Sequence, residues 1–322
     1  MSVMGFTAPV WGLASSADVD PSTAQALVKI AALLVTGLSV HVSLSPPNPP
    51  APPKVRLAAA RKTFFERCVR WVTFCSKMMV WIGTILDILA TTSLAFPSVS
   101  FAPLMSSLLC PSHKALPYPE SPPHSSLLTA SPLLLLGALA TLFGAVLRLA
   151  CFRALGPLFT FELAITPSHS LVTTGPYAWV RHPSYTGIYL TLLGASAVGL
   201  APGAWLRECA LRFGACAASI GRSVNATVAD NTSWSVHAES IVSTPEFVVA
   251  FPARACVHVS GLGVGTALAW LVLAFWSAKV AYALQSTNKR LRTEDTELRN
   301  AFGAVWDDYA ERTRWRLLPG VF

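Results

Sequence analysis

The residues most suited to chemistry lie in one short stretch, residues 171–187, here called the His-Pro segment. It places Gly, Pro, Arg, His and three aromatic residues between two long apolar stretches. A polar, turn-forming stretch lies between membrane helices only where it faces water or a ligand. His182-Pro183 starts a new element, because a residue before proline avoids helical geometry, and the free N–H groups of the helix that follows favour an anion. The His-Pro segment is therefore interpreted as half of a cofactor site.

The second candidate group lies near the C-terminal end, after the last apolar stretch. Arg290 and Glu294 are four residues apart, so on a helix they share one face and reach one ligand together. The alternative is an ordinary surface ion pair, which contributes little to stability. Apolar residues nearby recur at helical spacing, namely Leu291, Leu298, Phe302, Val305 and Tyr309. This spacing predicts one amphipathic C-terminal helix.

Composition indicates the environment of both groups. The chain has 322 residues, of which 53% are hydrophobic and 12% charged, whereas a soluble domain carries about 25% charged residues. Its mean hydropathy is +0.51, which indicates an integral membrane protein. The net charge of +8 fits basic flanks of membrane helices better than nucleic-acid binding. The seven cysteines show no metal-ligand spacing, so no metal site is predicted, and most are interpreted as small apolar residues in helices.

Five apolar stretches predict membrane spans, at residues 24–44, 71–94, 127–151, 188–200 and 258–284. Basic residues at 54–70 and 289–292 mark the cytosolic side, so both candidate groups lie there and the N-terminus is lumenal. The predicted fold class is all-α, a polytopic transmembrane helical bundle of about five spans with a cytosolic C-terminal helix and a cofactor-binding loop. Residues 1–157 form an N-terminal membrane region, and residues 158–322 form a core with the cofactor loop, a helical hairpin that carries an insertion, and the C-terminal helix.

Three features allow more than one interpretation. Residues 54–70 form either an amphipathic helix on anionic lipid or a topology signal alone. Asp87, an acid within a span, is a candidate functional residue, or it has a partner inside the bundle or a position near the far interface. Residues 205–255 are a glycosylated lumenal loop with sequons at Asn225 and Asn231, a disordered insertion, or retained intron sequence. Cys209, Cys216 and Cys256 lie in or beside that insertion, where disulfides are possible.

The His-Pro segment and the C-terminal stretch together resemble the isoprenylcysteine carboxyl methyltransferase family, endoplasmic-reticulum enzymes that methylate a prenylated C-terminal cysteine. The matching residues are Leu-Val-Thr-Thr-Gly-Pro-Tyr-Ala-Trp-Val-Arg-His-Pro-Ser-Tyr-Thr-Gly at 171–187, then Arg290, Glu294-Asp295, Leu298, Phe302-Gly303, Trp306 and Tyr309. The resemblance covers about residues 159–200 and 258–322, and the long insertion departs from it. It implies S-adenosyl-L-methionine as cofactor, prenylated CaaX proteins and membrane lipid as partners, and a multi-pass endoplasmic reticulum membrane protein with a cytosolic active site.

The resemblance also implies roles for individual residues. Arg290 would bind the prenylcysteine carboxylate and is the catalytic candidate, since an arginine fork holds a carboxylate without losing its charge. Glu162, which stands where relatives often carry an uncharged amide, is one of the residues implied for cofactor binding. The full set is Glu162, His169, Ser170, Leu171, Val172, Tyr177, His182, Pro183, Ser184, Tyr185 and Glu294.

Three other functions remain open at this point. A phosphatidylethanolamine-type phospholipid N-methyltransferase would need a general base and has no use for an acceptor-binding arginine. A sterol-reductase-like enzyme ends with a similar Arg-His-Pro stretch but uses NADPH and has more spans. The insertion, finally, could separate the two halves of the site and leave an inactive membrane protein.

Overall fold

The computed structural model describes residues 20–49, 64–110, 124–160, 170–211, 248–251, 255–258 and 264–320. These residues contain eight α-helices: α1 Pro21–Ser43, α2 Phe64–Ala95, α3 Ala102–Leu109, α4 His124–Leu128, α5 Pro132–Leu155, α6 Pro183–Leu200, α7 Val264–Phe302 and α8 Ala304–Arg312. Short turns of 3-10 helix lie at Gly156–Leu158 and Gly175–Ala178, and a π-helical turn lies at Leu206–Ala210.

The fold is an all-α membrane bundle, as predicted. Within the part of the chain that the structure describes, four helical segments are long and apolar enough to cross a membrane, namely Pro21–Ser43, Cys68–Ala95, Ser126–Leu158 and Val264–Phe302. Large apolar side chains point outward from them, including Leu136, Phe143 and Leu271, each more than 60% exposed. A soluble protein would not leave such a surface in water, so lipid is the solvent that this surface requires.

Helix α6, the fourth predicted span, is the inner helix of the bundle. Its 18 residues reach about 27 Å at 1.5 Å per residue. Its first half carries Ser184, Thr186 and Thr191, which lower its hydropathy below that of the other four spans. These polar residues are tolerated because α6 packs against α1, α5 and α7 instead of facing lipid. Pro183 occupies the first turn of α6, as the sequence predicts.

Glycines allow α5 and α6 to approach closely. A Cβ atom at Gly144 would lie 2.8 Å from the carbonyl oxygen of Gly187, and one at Gly137 would lie 2.8 Å from that of Gly194. Each pair is seven residues from the next, so the contact repeats along two antiparallel helices. Small residues of this kind are the usual device for close helix packing in membranes. The contact fixes the start of α6 relative to α5.

At the end of α6, a buried ion pair ties four elements together. Lys29 of α1 is fully buried, and its Nζ lies 2.7 Å from Oδ1 of Asp87 in α2. The same Nζ donates to the carbonyl oxygens of Leu127 and Gly203 at 2.8 and 2.7 Å. The other carboxylate oxygen of Asp87 accepts from the backbone N–H of Trp205. Of the three interpretations of Asp87, a partner inside the bundle is the one that the structure shows. These residues are called the Lys29 cluster below.

The C-terminal third differs from the sequence prediction. The fifth span does not begin at residue 258, because Ala255–His258 is a strand paired antiparallel with Val248–Phe251, and the helix begins at Val264. The span and the first part of the predicted amphipathic helix form one continuous helix, α7, whereas Val305 and Tyr309 lie in the separate helix α8. That helix ends at Phe302 because Gly303 has a φ of 54°, a backbone conformation in which glycine is favoured.

Two connecting regions add further structure. After the second predicted span the chain forms helix α3, and Cys110 at its end forms a disulfide with Cys209. Three cysteines of the spans are free, in line with their predicted packing role: Cys68, Cys75 and Cys151. Of the insertion, the π-helical turn and the strand pair are described; Asn225 and Asn231 lie outside the described residues, as does most of the basic stretch 54–70.

Candidate functional site

One cavity lies where α1 ends, α6 begins and the middle of α7 passes. Its apolar lining, here called the apolar wall, comes from the membrane helices and includes Leu44, Val69, Val72, Leu192 and Ala283. Its polar lining, here called the polar wall, comes mainly from the His-Pro segment and from α7. The cavity therefore offers apolar surface for a hydrocarbon chain and polar groups for charges.

The cavity brings the two predicted halves of the site together. Nine of the predicted residues line it, namely Ser170, Leu171, Val172, Tyr177, His182, Ser184, Tyr185, Arg290 and Glu294. Pro183 is buried behind the wall at the first turn of α6. Glu162 and His169 lie outside the described residues. Arg290 and Glu294 share a face of α7, as their spacing predicts, and they face the same cavity.

The polar wall is held by an ion-pair network between the His-Pro segment and α7. Nδ1 of His182 lies 3.2 Å from Oε2 of Glu294, and Nε2 lies 2.7 Å from Oδ1 of Asp295. The hydroxyl of Tyr185 donates to the other oxygen of Glu294 at 3.1 Å. Oδ2 of Asp295 faces Arg316 at 3.0 Å and Arg181 at 3.6 Å, as ion pairs without hydrogen-bond geometry. These five charged residues are called the His182 network.

The surroundings of His182 favour its charged form. Burial alone lowers the pKa of this imidazole, but the hydrogen bonds and charges of Asp295 and Glu294 outweigh burial and raise the pKa above its ordinary value of 6.5. As an imidazolium, His182 donates from both ring nitrogens, one to each carboxylate. Both nitrogens are thus already bonded within the protein, and the ring orients Glu294 toward the cavity.

Three arginines line the cavity, namely Arg148, Arg181 of the His182 network, and Arg290. Arg290 is half-buried, with its guanidinium 5.9 Å from the ring centre of Tyr185. Arg148 of α5 is 2% exposed; it donates from Nε to the carbonyl oxygen of Ser43 and from Nη1 to Oγ of Ser184. Its guanidinium also lies 4.9 Å from the ring centre of Phe152. Arg148 therefore fixes the start of α6 against α1 and α5.

Sequence reasoning missed part of this site. It placed residue 148 inside the third predicted span, 127–151, and gave Arg148, Asp295 and Arg316 no role. An arginine at the end of an apolar stretch looks the same in sequence whether it lies in headgroups or is buried. Asp295 stands next to the predicted Glu294, and that adjacency was the available signal for it.

Comparison with known proteins bears on the same region. Residues 135–212 match the isoprenylcysteine carboxyl methyltransferase family. The match covers α5, the His-Pro segment and α6, so it confirms the resemblance for the first half of the site. The second half, with Arg290 and Glu294, lies beyond the matched residues.

Similar proteins carry one name. A protein-S-isoprenylcysteine O-methyltransferase of Xenopus laevis is 39% identical over 61 residues, and those of Mus musculus and Homo sapiens are each 42% identical over 60 residues. Each alignment covers 18% of this chain and 21% of the relative, so the similarity spans about a fifth of the curated relatives' length. No solved structure matches the chain.

Proposed function

We propose that this protein transfers a methyl group from S-adenosyl-L-methionine to the carboxylate of a prenylated C-terminal cysteine. The observation that carries the proposal is the cavity itself. It sets Arg290 and Glu294 beside the His-Pro segment, and its other wall consists of apolar side chains from membrane helices. An isoprenyl chain on a cysteine carboxylate has the same division into an apolar tail and an anion.

The donor groups in the cavity fit the cofactor. Glu294 presents a carboxylate that is 28% exposed, which suits the ammonium or hydroxyl groups of S-adenosyl-L-methionine. Tyr177 and Tyr185 supply aromatic surface for the adenosine, and burial raises the pKa of the Tyr177 phenol, so it stays neutral. When bound, the cofactor supplies a methyl group on a sulfonium centre. Ser170, Leu171 and Val172 line the same wall.

Arg290 would hold the acceptor. A carboxylate is ionised near pH 7, so the reaction needs no base from the protein, and a guanidinium can bind both carboxylate oxygens while keeping its charge. The remaining contribution is alignment, which lowers barriers by about 7–11 kcal/mol for well-oriented reactants. Exclusion of water by the apolar wall favours a step in which opposite charges cancel.

The direct test is methyl transfer from labelled S-adenosyl-L-methionine to a farnesylcysteine analogue in membranes that carry the protein. Arg290→Ala should abolish turnover, by about 1000-fold or more, while binding of the cofactor persists. Arg292→Ala, on an exposed position two residues further along α7, is the matched control and should retain activity. Methylation of phosphatidylethanolamine, or binding of NADPH in place of S-adenosyl-L-methionine, would instead support one of the two rival functions.

We also propose an endoplasmic reticulum location with the cavity on the cytosolic face. Basic residues Lys289 and Arg292 lie beside the cavity end of the bundle, as positive residues do on the cytosolic side. The Cys110–Cys209 disulfide lies beyond the other end of α6, which suits an oxidising lumen. A C-terminal tag should be digested by protease added to sealed microsomes, whereas an N-terminal tag should be protected. Protection of the C-terminal tag would reverse the topology.

A further inference from the structure

Charges alternate in an unbroken series from the protein surface to the cavity. Arg316 pairs with Asp295 at 3.0 Å, Asp295 with His182 at 2.7 Å, and His182 with Glu294 at 3.2 Å. Only the last two, His182 and Glu294, line the cavity. Arg316, whose side chain is 37% exposed, is the outermost member.

The C-terminal tail, residues 313–317, is bonded to the His-Pro segment along its length. The backbone N–H groups of Arg181 and His182 donate to the carbonyl oxygens of Trp315 and Arg316, both at 2.9 Å. Thr186 Oγ1 donates to the carbonyl oxygen of Leu317 at 2.8 Å. The side chain of Leu317 packs with Tyr185 and Leu291 in a small apolar core.

We infer that the C-terminal tail is a working part of the cofactor pocket, in which Arg316 and Asp295 are positioning residues that act through His182 on Glu294. The inference rests on the proposed function for the identity of the ligand, S-adenosyl-L-methionine. Neither residue touches the cavity. Each instead restricts the next charged group, so that Glu294 presents its carboxylate in one orientation.

The geometry explains why the orientation of Glu294 depends on His182, Asp295 and Arg316 together. The Glu294 carboxylate has two neighbouring donors, Tyr185 and His182, and the imidazole can serve as one only while its other nitrogen is fixed. Asp295 fixes it, and Asp295 is itself flanked by Arg181 and Arg316. Glu294 and Asp295 are thus the charged groups that contact the imidazole. Arg181 of the His-Pro segment and Arg316 of the tail contact Asp295.

The first experiment measures binding of S-adenosyl-L-methionine by calorimetry on the full-length protein in detergent. Asp295→Asn should weaken binding by about 30-fold, since a charge-assisted hydrogen bond in a buried site is lost. Arg316→Gln should weaken it by about threefold, as expected for a half-exposed ion pair. Arg316→Lys should restore most of that loss, and Arg312→Gln, which breaks the exposed pair with Asp308, should stay near wild type.

A double variant tests whether Arg316 acts through Asp295. If it does, Asp295→Asn together with Arg316→Gln should bind no worse than Asp295→Asn alone. Losses that multiply, or an Arg316→Gln variant with unchanged affinity, would overturn the series.

The second experiment needs no cofactor. The protein has seven histidines, and comparison with His182→Gln assigns the ¹³C-labelled His182 signal in the cofactor-free protein. In Asp295→Asn its titration midpoint should fall by about one pH unit, because one of its two carboxylate partners is gone. An unchanged midpoint would overturn the inference whether or not the protein methylates prenylcysteine. Conversely, if the midpoint falls but the protein transfers no methyl group, the inference about the His182 network stands and only the proposed function is rejected.

Discussion

Two buried clusters of paired charges lie near opposite ends of α6. One holds helices together, and the other faces a cavity. In the Lys29 cluster, three acceptors surround one fully buried ammonium group, which has three hydrogens to donate. In the His182 network, Glu294 is 28% exposed and faces a cavity. A charge whose partners are all within the protein holds helices together, whereas a charge with one side open can bind a ligand. The burial of an ion pair therefore does not by itself distinguish a structural cluster from a ligand-binding site.

Breaking the Lys29 cluster should give the largest effect on stability. Lys29→Met leaves the Asp87 carboxylate buried without its partner, so the free energy of unfolding should fall by about 3–5 kcal/mol. Replacing both residues, with Lys29→Met and Asp87→Leu, should recover most of that loss. Unfolding in detergent measures both. Arg312→Gln, at an exposed ion pair, is the control and should change stability by less than about 1 kcal/mol. A mild effect of Lys29→Met alone would show that water reaches Asp87.

The opposite pattern is expected at Glu294. Glu294→Gln keeps the shape of the side chain but removes its charge, so the dissociation constant for S-adenosyl-L-methionine should rise by about 30-fold. Stability should change far less than in Lys29→Met, since the carboxylate is partly exposed. Glu311→Gln, on an exposed face of α8, should leave the affinity unchanged. Equal losses of stability at Glu294 and Lys29 would remove the distinction between the clusters.

Tyr309→Phe should have a smaller effect, which reaches the site through the backbone of Tyr177. Burial raises the pKa of the Tyr309 phenol to about 12, so it stays protonated and donates to the carbonyl oxygen of Tyr177 at 2.8 Å. Loss of this bond should cost about 1.5 kcal/mol of stability, because a buried acceptor remains unsatisfied. An unchanged unfolding midpoint would show that α8 does not secure the His-Pro segment.

The smallest effect is a pH dependence confined to the His182 network. Because the folded-state pKa of His182 is raised, its contribution to stability is fully present below about pH 6.5 and is lost as the pH rises through the raised pKa. We expect the free energy of unfolding of the wild type to fall more than that of His182→Gln over this interval. Unfolding curves at several pH values measure it. Parallel curves for the two proteins would show that His182 is neutral in the folded state.

Much of the fold could be predicted, because the bilayer imposes simple rules on sequence. The first three spans and α6 were found from length and hydropathy, and Pro183 marked the start of α6. The boundary between the regions 1–157 and 158–322 stays a prediction. Residues of both regions line the cavity, for example Leu44 from the first and Glu294 from the second. The errors lie where hydropathy carries no signal, at the strand Ala255–His258 and at the break after Phe302.

By itself, the sequence determined that the chain enters a membrane, that the His-Pro segment is polar and turn-forming, and that Arg290 and Glu294 share a helix face. Each follows from local chemistry: hydropathy, proline geometry and a spacing of four residues. Only the tertiary structure decided the partners of the buried charges. Lys29 meets Asp87, Cys110 meets Cys209, and Arg316 meets Asp295, although long stretches of sequence separate the first two pairs. The physical reason is that a partner is chosen by distance in the folded chain, and spacing along the sequence does not determine that distance.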